Sequence, residues 1–321
     1  MSKINQKRTC ILGIIIALFC MLGISAPAQA AKSKAVKSAP PRKVVKVAPP
    51  AKTQKTRSAS SGRGLAREWE PNNELVPYKQ NYLLLYAVSS KPNNTPTSPN
   101  SMNQILVPYA LDQRDMKFQI SLKHDLADFQ EYGSVWFGYT QLSFWQFYNT
   151  ANSQPFRETI YEPEFIYSIR PNEASIFNFG IVHQSNGESR PRSRSWNRIY
   201  IQPAIELIND GGELLIVQAR WWQRIQENIA DDDNPDIAQY LGYREIEIRY
   251  IQEGNWEISA IGRSKSVQVD IAAPWTSWFL LDDSEVHNAN VHLQYFNGYG
   301  ESLLDYNQAH TTWGIGISFP Y

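Results

Sequence analysis

The stretch "HTTWGIGISFPY", residues 310–321, puts Trp313, Ile315, Ile317, Phe319 and Tyr321 at one parity and Thr312, Gly314, Gly316 and Ser318 at the other. In an extended strand successive side chains point to opposite faces, so this segment has one greasy face and one small or polar face. The segment "REIEIRY", 244–250, repeats the pattern with charge: Ile246, Ile248 and Tyr250 alternate with Glu245, Glu247 and Arg249. One face suits hydrocarbon and the other suits a polar lumen.

Working outward, similar segments fall near 81–90, 115–125, 134–149, 158–169, 175–186, 195–207, 213–225, 240–252, 255–264, 267–275, 288–299 and 310–321. That is twelve, an even number, as a closed antiparallel barrel requires when every backbone donor must be satisfied in lipid. The chain also ends on an aromatic in phase with the greasy face, which resembles the terminal strand of outer-membrane barrels. The reading is therefore all-β: a twelve-stranded antiparallel transmembrane β-barrel. The competing reading is a large soluble β-sandwich, but greasy single faces on so many strands would have no partner in water. In so narrow a barrel the inward charges should pair across the bore, so conduction is not expected and function should sit elsewhere.

The chain before the strands is of two other kinds. Lys3, Lys7 and Arg8 precede the apolar run from Cys10 to Ile24 and the small-residue pattern Ala28-Gln29-Ala30, which reads as a signal peptide over residues 1–30. A membrane anchor is the alternative, but a spanning helix needs about 20 apolar residues and this run is shorter. Both cysteines, Cys10 and Cys20, would leave with the signal, so stability would not rest on disulfides. Residues 31–64, rich in Lys, Pro and Ala with no acid, read as a disordered basic arm, either a solvated linker or an electrostatic tether to an anionic surface. The whole chain has 31 Lys or Arg and 31 Asp or Glu, but 13 of the bases lie before residue 65, leaving the expected barrel domain 65–321 at about −13. Nucleic acid is not an expected partner.

One hairpin breaks the greasy pattern. In "FNFGIVHQSNGESRPRSRSWNRIYI", 177–201, the apolar parity Phe177, Phe179, Ile181 runs on into His183 and Ser185, while the returning strand carries Asn197, Ile199 and Ile201. With the turn centred near Arg190, residues equidistant from it face each other: Ile181 meets Ile199 and His183 meets Asn197. A serine, a histidine and a carboxamide would then gather on the lipid side near a strand end. Two plain readings of His183 stay open on parity alone, an aqueous loop position or a residue of the interfacial girdle. The functional reading makes Ser185 a nucleophile, His183 its base and Asn197 the group that holds the imidazole in the useful tautomer. An Asn carries no negative charge, so another element must stabilise the oxyanion.

These residues and four further stretches, "YTQLSFWQ" (139–146), "PFRETIYEPE" (155–164), "DDNPDIAQYLGY" (232–243) and "GYGESLLDYN" (298–307), resemble outer-membrane phospholipase A, the calcium-dependent twelve-stranded phospholipases of Gram-negative bacteria. The similarity runs in order over essentially all of residues 75–321, with the fourteen-residue His-to-Asn spacing intact, and does not cover the basic arm. It implies a Ser185, His183, Asn197 triad on the outer barrel wall, Ca2+ as cofactor, phospholipid as substrate and a homodimer in the outer membrane. The matching calcium ligands are the backbone carbonyl of Glu188, the hydroxyl of Ser193 and, from a second subunit, the backbone carbonyl of Ser153, with a backbone amide completing the oxyanion hole. Asp233 matches a position near the calcium region and reads equally well as a turn residue. Gln141 continues the outward parity of Phe137 and Tyr139, and a partner subunit could satisfy its carboxamide. In two places the chain departs from the family: Gln184 replaces an acid between the His and the Ser, at the opposite parity, and Arg190 stands where an acidic residue commonly assists calcium. The Glu188 carboxylate could compensate for Arg190.

The expectation is thus a calcium-dependent, dimerisation-gated serine phospholipase acting at the A1 and A2 positions and on lysophospholipids. The alternative is a non-catalytic barrel, either scaffold or narrow channel. A lipid A deacylase uses similar chemistry, but the strand count and the Asn argue against it. The remaining histidines, His124, His287, His292 and His310, read as surface or lumen residues.

Overall fold

The computed structural model describes residues 64–210, 213–252, 256–275 and 289–319. The expected signal peptide, all but the last residue of the expected basic arm, both cysteines and His287 lie outside the described residues. The strands are β1 (Leu75–Pro77), β2 (Asn81–Ser89), β3 (Arg114–Asp128), β4 (Ser134–Trp145), β5 (Phe156–Asn172), β6 (Ser175–Ser185), β7 (Ser195–Asp210), β8 (Glu213–Ile225), β9 (Arg244–Gln252), β10 (Trp256–Arg263), β11 (Ser266–Pro274), β12 (Asn290–Gly298) and β13 (His310–Phe319). Each pairs antiparallel with its chain neighbour from β2 onward, and β13 pairs back to β2, so twelve strands close on themselves and leave no edge. The extra strand β1 lies against residues 122–124 of β3, beyond the end of β2. Among the described residues no helix is long and apolar enough to cross a membrane; the crossing elements are the strands.

Two expected segments end differently. The strand expected from residue 240 begins at Arg244, because Ile237–Leu241 forms a short helix, α2. Ile237 and Leu241, four residues apart, share a helical face and bury together against Trp222 and Tyr306. The segment expected to run to residue 149 stops at Trp145, because Gln146 turns its amide onto Asp112 and Asp115, and Asn149 binds the Ala110 carbonyl, so these side chains serve the loop instead of the ladder.

The period-2 pattern decides which side chains meet lipid. Phe165, Phe177, Phe179, Ile199, Ile201 and Ile315 are 43 to 54 % exposed on the outer wall. Inside the barrel the charges are paired: Lys79 with Glu162 at 2.5 Å, Arg198 with Glu162 at 3.2 Å, Lys117 with Glu301 at 2.8 Å and, between the neighbouring strands β9 and β10, Arg263 with Glu245 at 2.7 Å. Such pairing removes the cost of isolated buried charges. His292 joins this interior at 3.0 Å from Asp270, and His310 contacts Glu301 at 2.7 Å, whereas His124 is outside the bore, bound to the Glu74 carbonyl.

The two ends are closed differently. At one, a short helix α1 (Leu65–Glu68) and Trp69 enter the bore and bury against Trp136, Ile166, Ile176 and Ile216, with Lys123 Nζ 3.3 Å from the Trp69 ring. At the other end the connections 90–113, 146–155, 186–194, 226–243 and 299–309 gather. They are stitched together: Ser98 Oγ donates to the Asp233 carbonyl at 2.6 Å, Asn100 Nδ2 to that of Asp232 at 2.8 Å and Asn307 Nδ2 to that of Thr97 at 3.0 Å. Long connections mark the extracellular end of such barrels, and the hairpin that carries the candidate site turns there.

Candidate active site

Strands β6 and β7 pair in one unbroken register, Ile181 opposite Ile199, His183 opposite Asn197 and Ser185 opposite Ser195. The odd-numbered side chains of β6 point outward, as Phe177, Phe179 and Ile181 require of a lipid face, and His183 is exposed beside them. Gln184, at the other parity, accepts from Trp196 Nε1 at 2.6 Å inside the barrel, so its replacement of an acid leaves the outer face untouched.

His183 Nδ1 lies 2.8 Å from Asn197 Oδ1. The other end of the same amide settles its orientation, because Asn197 Nδ2 donates to Glu227 Oε1 at 3.0 Å and a carboxylate can only accept there. The amide oxygen therefore faces the ring, Nδ1 must carry the proton, and Nε2 is left as the acceptor. Ser185 stands two residues beyond His183 on the same face; among the described residues its hydroxyl forms no hydrogen bond with the imidazole. Hydrogen bonds between a nucleophile and its base commonly tighten only when substrate is bound.

Loop 186–194 is pinned by Asn186, which is 4 % exposed. Its Nδ2 donates to Glu158 at 3.0 Å and to the Arg192 carbonyl at 2.9 Å, and its Oδ1 accepts from the Arg194 and Glu188 amides. The Asn186 amide is itself bonded to the Arg194 carbonyl at 3.0 Å. Gly187 N–H, two residues past the serine, has no hydrogen bond among the described residues, whereas the Asn186 and Glu188 amides on either side of it are both engaged. Gly187 has φ +65°, and a Cβ there would lie 3.1 Å from the Tyr161 ring, so only glycine fits without strain.

Of the residues expected at a calcium site, Ser193 and Asp233 come together: the Ser193 hydroxyl donates to Asp233 Oδ2 at 2.5 Å. Asn103 Nδ2 holds both, at 2.7 Å from the Ser193 carbonyl and 3.2 Å from Asp233 Oδ1. Arg190 also reaches this carboxylate, Nε to Oδ1 at 3.4 Å, so the chain carries a cation beside the acid expected to serve calcium. The Glu188 side chain, expected as a substitute for that acid, faces Arg192 at 3.4 Å. Ser153 lies on the neighbouring connection, exposed, with φ 60°. Among the described residues no cluster of three His, Cys, Asp or Glu side chains forms a metal cage. Hydroxyl and carbonyl oxygens with one carboxylate behind them are nevertheless hard donors suited to calcium and unsuited to softer metals. Gln141 faces outward on β4 and is partly satisfied within its own strand, accepting from Tyr139 Oη at 3.1 Å and donating to Ser143 at 3.3 Å.

Glu227 is not among the expected site residues, because it lies two residues beyond the strand at 213–225. A signal was present: Trp221, Ile225 and Glu227 share one parity, and Ile225 lies opposite Asn197, which places Glu227 on the outer face. Burial raises its carboxyl, with the nearby Asp232 and Asp233 adding to the rise and the Asn197 amide and Arg224 opposing it.

Comparison with known proteins gives a consistent result. The phospholipase A1 family pattern matches residues 66–319. A putative phospholipase A1 of Neisseria meningitidis serogroup B is 34% identical over 254 residues, covering 74% of this chain and 63% of that relative, so the chain spans less than two thirds of that protein's length. The solved outer membrane phospholipase A from Escherichia coli aligns with TM-score 0.62 and 30% identity over 77% of this chain and 98% of that one. A Salmonella typhi outer membrane phospholipase, solved as a dimer with bound calcium, aligns with TM-score 0.64 and 29% identity over 79% and 96%.

Proposed function

The chain belongs to the phospholipase A1 family of outer-membrane β-barrels, and from that premise we propose that it hydrolyses phospholipid acyl esters on its outer wall, with Ser185 as nucleophile, His183 as base and Asn197 as orienter. The observation that carries the reading is the 2.8 Å bond between His183 Nδ1 and Asn197 Oδ1 on a lipid-exposed face, at the row where apolar side chains give way to polar ones.

Phospholipid approaches along an apolar groove on that wall, lined by Phe165, Phe179, Ile181, Ile199, Ile201 and Trp221, which takes the acyl chain and leads the ester to the next row of side chains. Ser185 Oγ attacks the ester carbonyl while its proton passes to His183 Nε2. The tetrahedral oxyanion accepts from Gly187 N–H. His183 then gives the proton to the departing glycerol oxygen, releasing a lysophospholipid and leaving an acyl-serine. Water, deprotonated by the same Nε2, hydrolyses that ester to free fatty acid and regenerates Ser185. The proposal extends to A1 and A2 bonds and to lysophospholipids, since each presents an acyl ester to the same nucleophile.

The Glu188 carbonyl and the Ser193 hydroxyl would hold calcium, with the Ser153 carbonyl of a second subunit. Asp233, by accepting the Ser193 proton, keeps the lone pairs of that hydroxyl turned away from itself. Calcium, when bound, supplies positive charge to the developing oxyanion. Because one ligand comes from a second copy, activity follows dimerisation, which Gln141 on the outer wall supports. The test is acyl release from mixed micelles with calcium. Ser185→Ala is expected to abolish turnover, and unchanged turnover removes Ser185 from the chemistry.

A further inference from the structure

A neutral amide in the orienting position leaves a question of charge. When His183 takes the serine proton it becomes an imidazolium, and an amide oxygen stabilises that cation less than a carboxylate would. The site nevertheless holds a carboxylate one hydrogen bond further out. Glu227 Oε1 accepts from Asn197 Nδ2 at 3.0 Å, while Asn197 Oδ1 accepts from His183 Nδ1 at 2.8 Å, so the amide bridges acid and ring. Resting on the triad reading above, we infer that Glu227 is a positioning residue of this site: it locks the Asn197 amide with its oxygen toward His183 and, through the polarised amide, supplies the negative charge that the orienting residue lacks.

Three observations support this. The amide has two ends, and with Glu227 in place only one orientation satisfies both. A carboxylate at the nitrogen end draws density through the amide toward oxygen, and bonds in such a chain strengthen one another. Among the described residues no Lys or Arg forms an ion pair with Glu227. The charged groups facing it are Arg224 at the end of β8 and Asp232 and Asp233 on the returning arm of the same loop. Arg224 is engaged by Asp232 at 2.6 Å and by the Asn234 and Pro235 carbonyls, while Asp233 is held by Ser193, Asn103 and Arg190.

The test separates geometry from charge. Glu227→Gln keeps an acceptor for Asn197 Nδ2 and removes the charge; Glu227→Ala removes both. With the intact protein in micelles and calcium, Glu227→Ala should lower kcat by roughly 10- to 100-fold, as loss of an orienting bond does, and Glu227→Gln should recover part of that loss at unchanged KM. Removing the negative charge coupled to the imidazolium should move the acid limb of the kcat/KM profile to lower pH in Glu227→Gln. A second readout does not need catalysis: the His183 imidazole, followed by NMR in a Ser185→Ala background, should titrate at lower pH when Glu227→Gln is added. An unmoved titration overturns the inference whatever the activity. Wild-type kcat in Glu227→Ala, or equal loss in the Gln and Ala variants, overturns it as well. Turnover surviving Ser185→Ala would instead defeat the triad reading, leaving the coupling of Glu227 to His183 to be judged by the titration alone.

Discussion

His183 on β6 and Asn197 on β7 are cross-strand partners, and the ring nitrogen of the first lies 2.8 Å from the amide oxygen of the second. Two antiparallel strands hold the pair directly opposite, so the orientation of the imidazole is a property of the sheet register and not of a mobile loop. Asn197→Ala should leave the barrel folded, since the side chain sits on the outer wall, and lower kcat by about 10- to 1000-fold as the ring loses its tautomer. Heat-modified migration on gels reads the fold and acyl release reads the activity.

Asn197→Asp would look like an improvement toward an acidic triad, yet it places a second carboxylate beside Glu227, where Nδ2 now sits 3.0 Å from Oε1. Two carboxylates that close share a proton. The single variant is expected to show lower kcat than wild type, and addition of Glu227→Gln should raise it again by roughly 3- to 10-fold as the repulsion is relieved. A double variant no better than the single one contradicts this.

Arg190 holds positive charge 3.4 Å from the Asp233 carboxylate that orients Ser193. A cation there opposes another cation nearby. Arg190→Ala is expected to lower the calcium concentration for half-maximal activity by roughly 3- to 10-fold, an effect that shrinks in high salt. A calcium titration of acyl release at two ionic strengths checks it.

Gly187→Ala tests the oxyanion donor. The residue has φ +65°, and the new methyl would press on Tyr161. The amide should turn away, lowering kcat by about 100-fold with little change in KM, as loss of one oxyanion donor does.

Glu301 binds three partners inside the bore: Lys117 at 2.8 Å, His310 at 2.7 Å and Thr312 at 2.7 Å. Glu301→Gln leaves the Lys117 charge without its partner and should cost about 3 kcal/mol in urea unfolding from lipid vesicles. Burial raises the Glu301 carboxyl, but Lys117 and His310 outweigh it, so the folded carboxyl titrates below its ordinary value of 4.5. A depressed carboxylate stabilises fully above the unfolded value and loses that contribution as pH falls. Wild type should therefore lose stability below about pH 4.5 more steeply than Glu301→Gln.

Particular residues show how far the sequence alone could be read. The outward face of Phe177, Phe179 and Ile181, the inward face of Glu245, Glu247 and Arg249, and the pairing of His183 with Asn197 were all legible, because period-2 alternation and a hairpin register are local properties of the chain. Strand ends at 145 and 244 were not, because there the side chains of Gln146, Asn149, Ile237 and Leu241 serve contacts with other loops.

What the sequence by itself determined is the barrel and the face on which the serine, histidine and asparagine stand: solvent and lipid select opposite sides of every strand, and that selection is written residue by residue. What only the tertiary structure decided is how those groups are completed. Glu227 meets Asn197 across 30 positions, Asn103 meets Asp233 across 130 and Lys117 meets Glu301 across 184. Such partners are set by closure of the sheet and by the packing of loops over its end, and no periodicity in the chain encodes them.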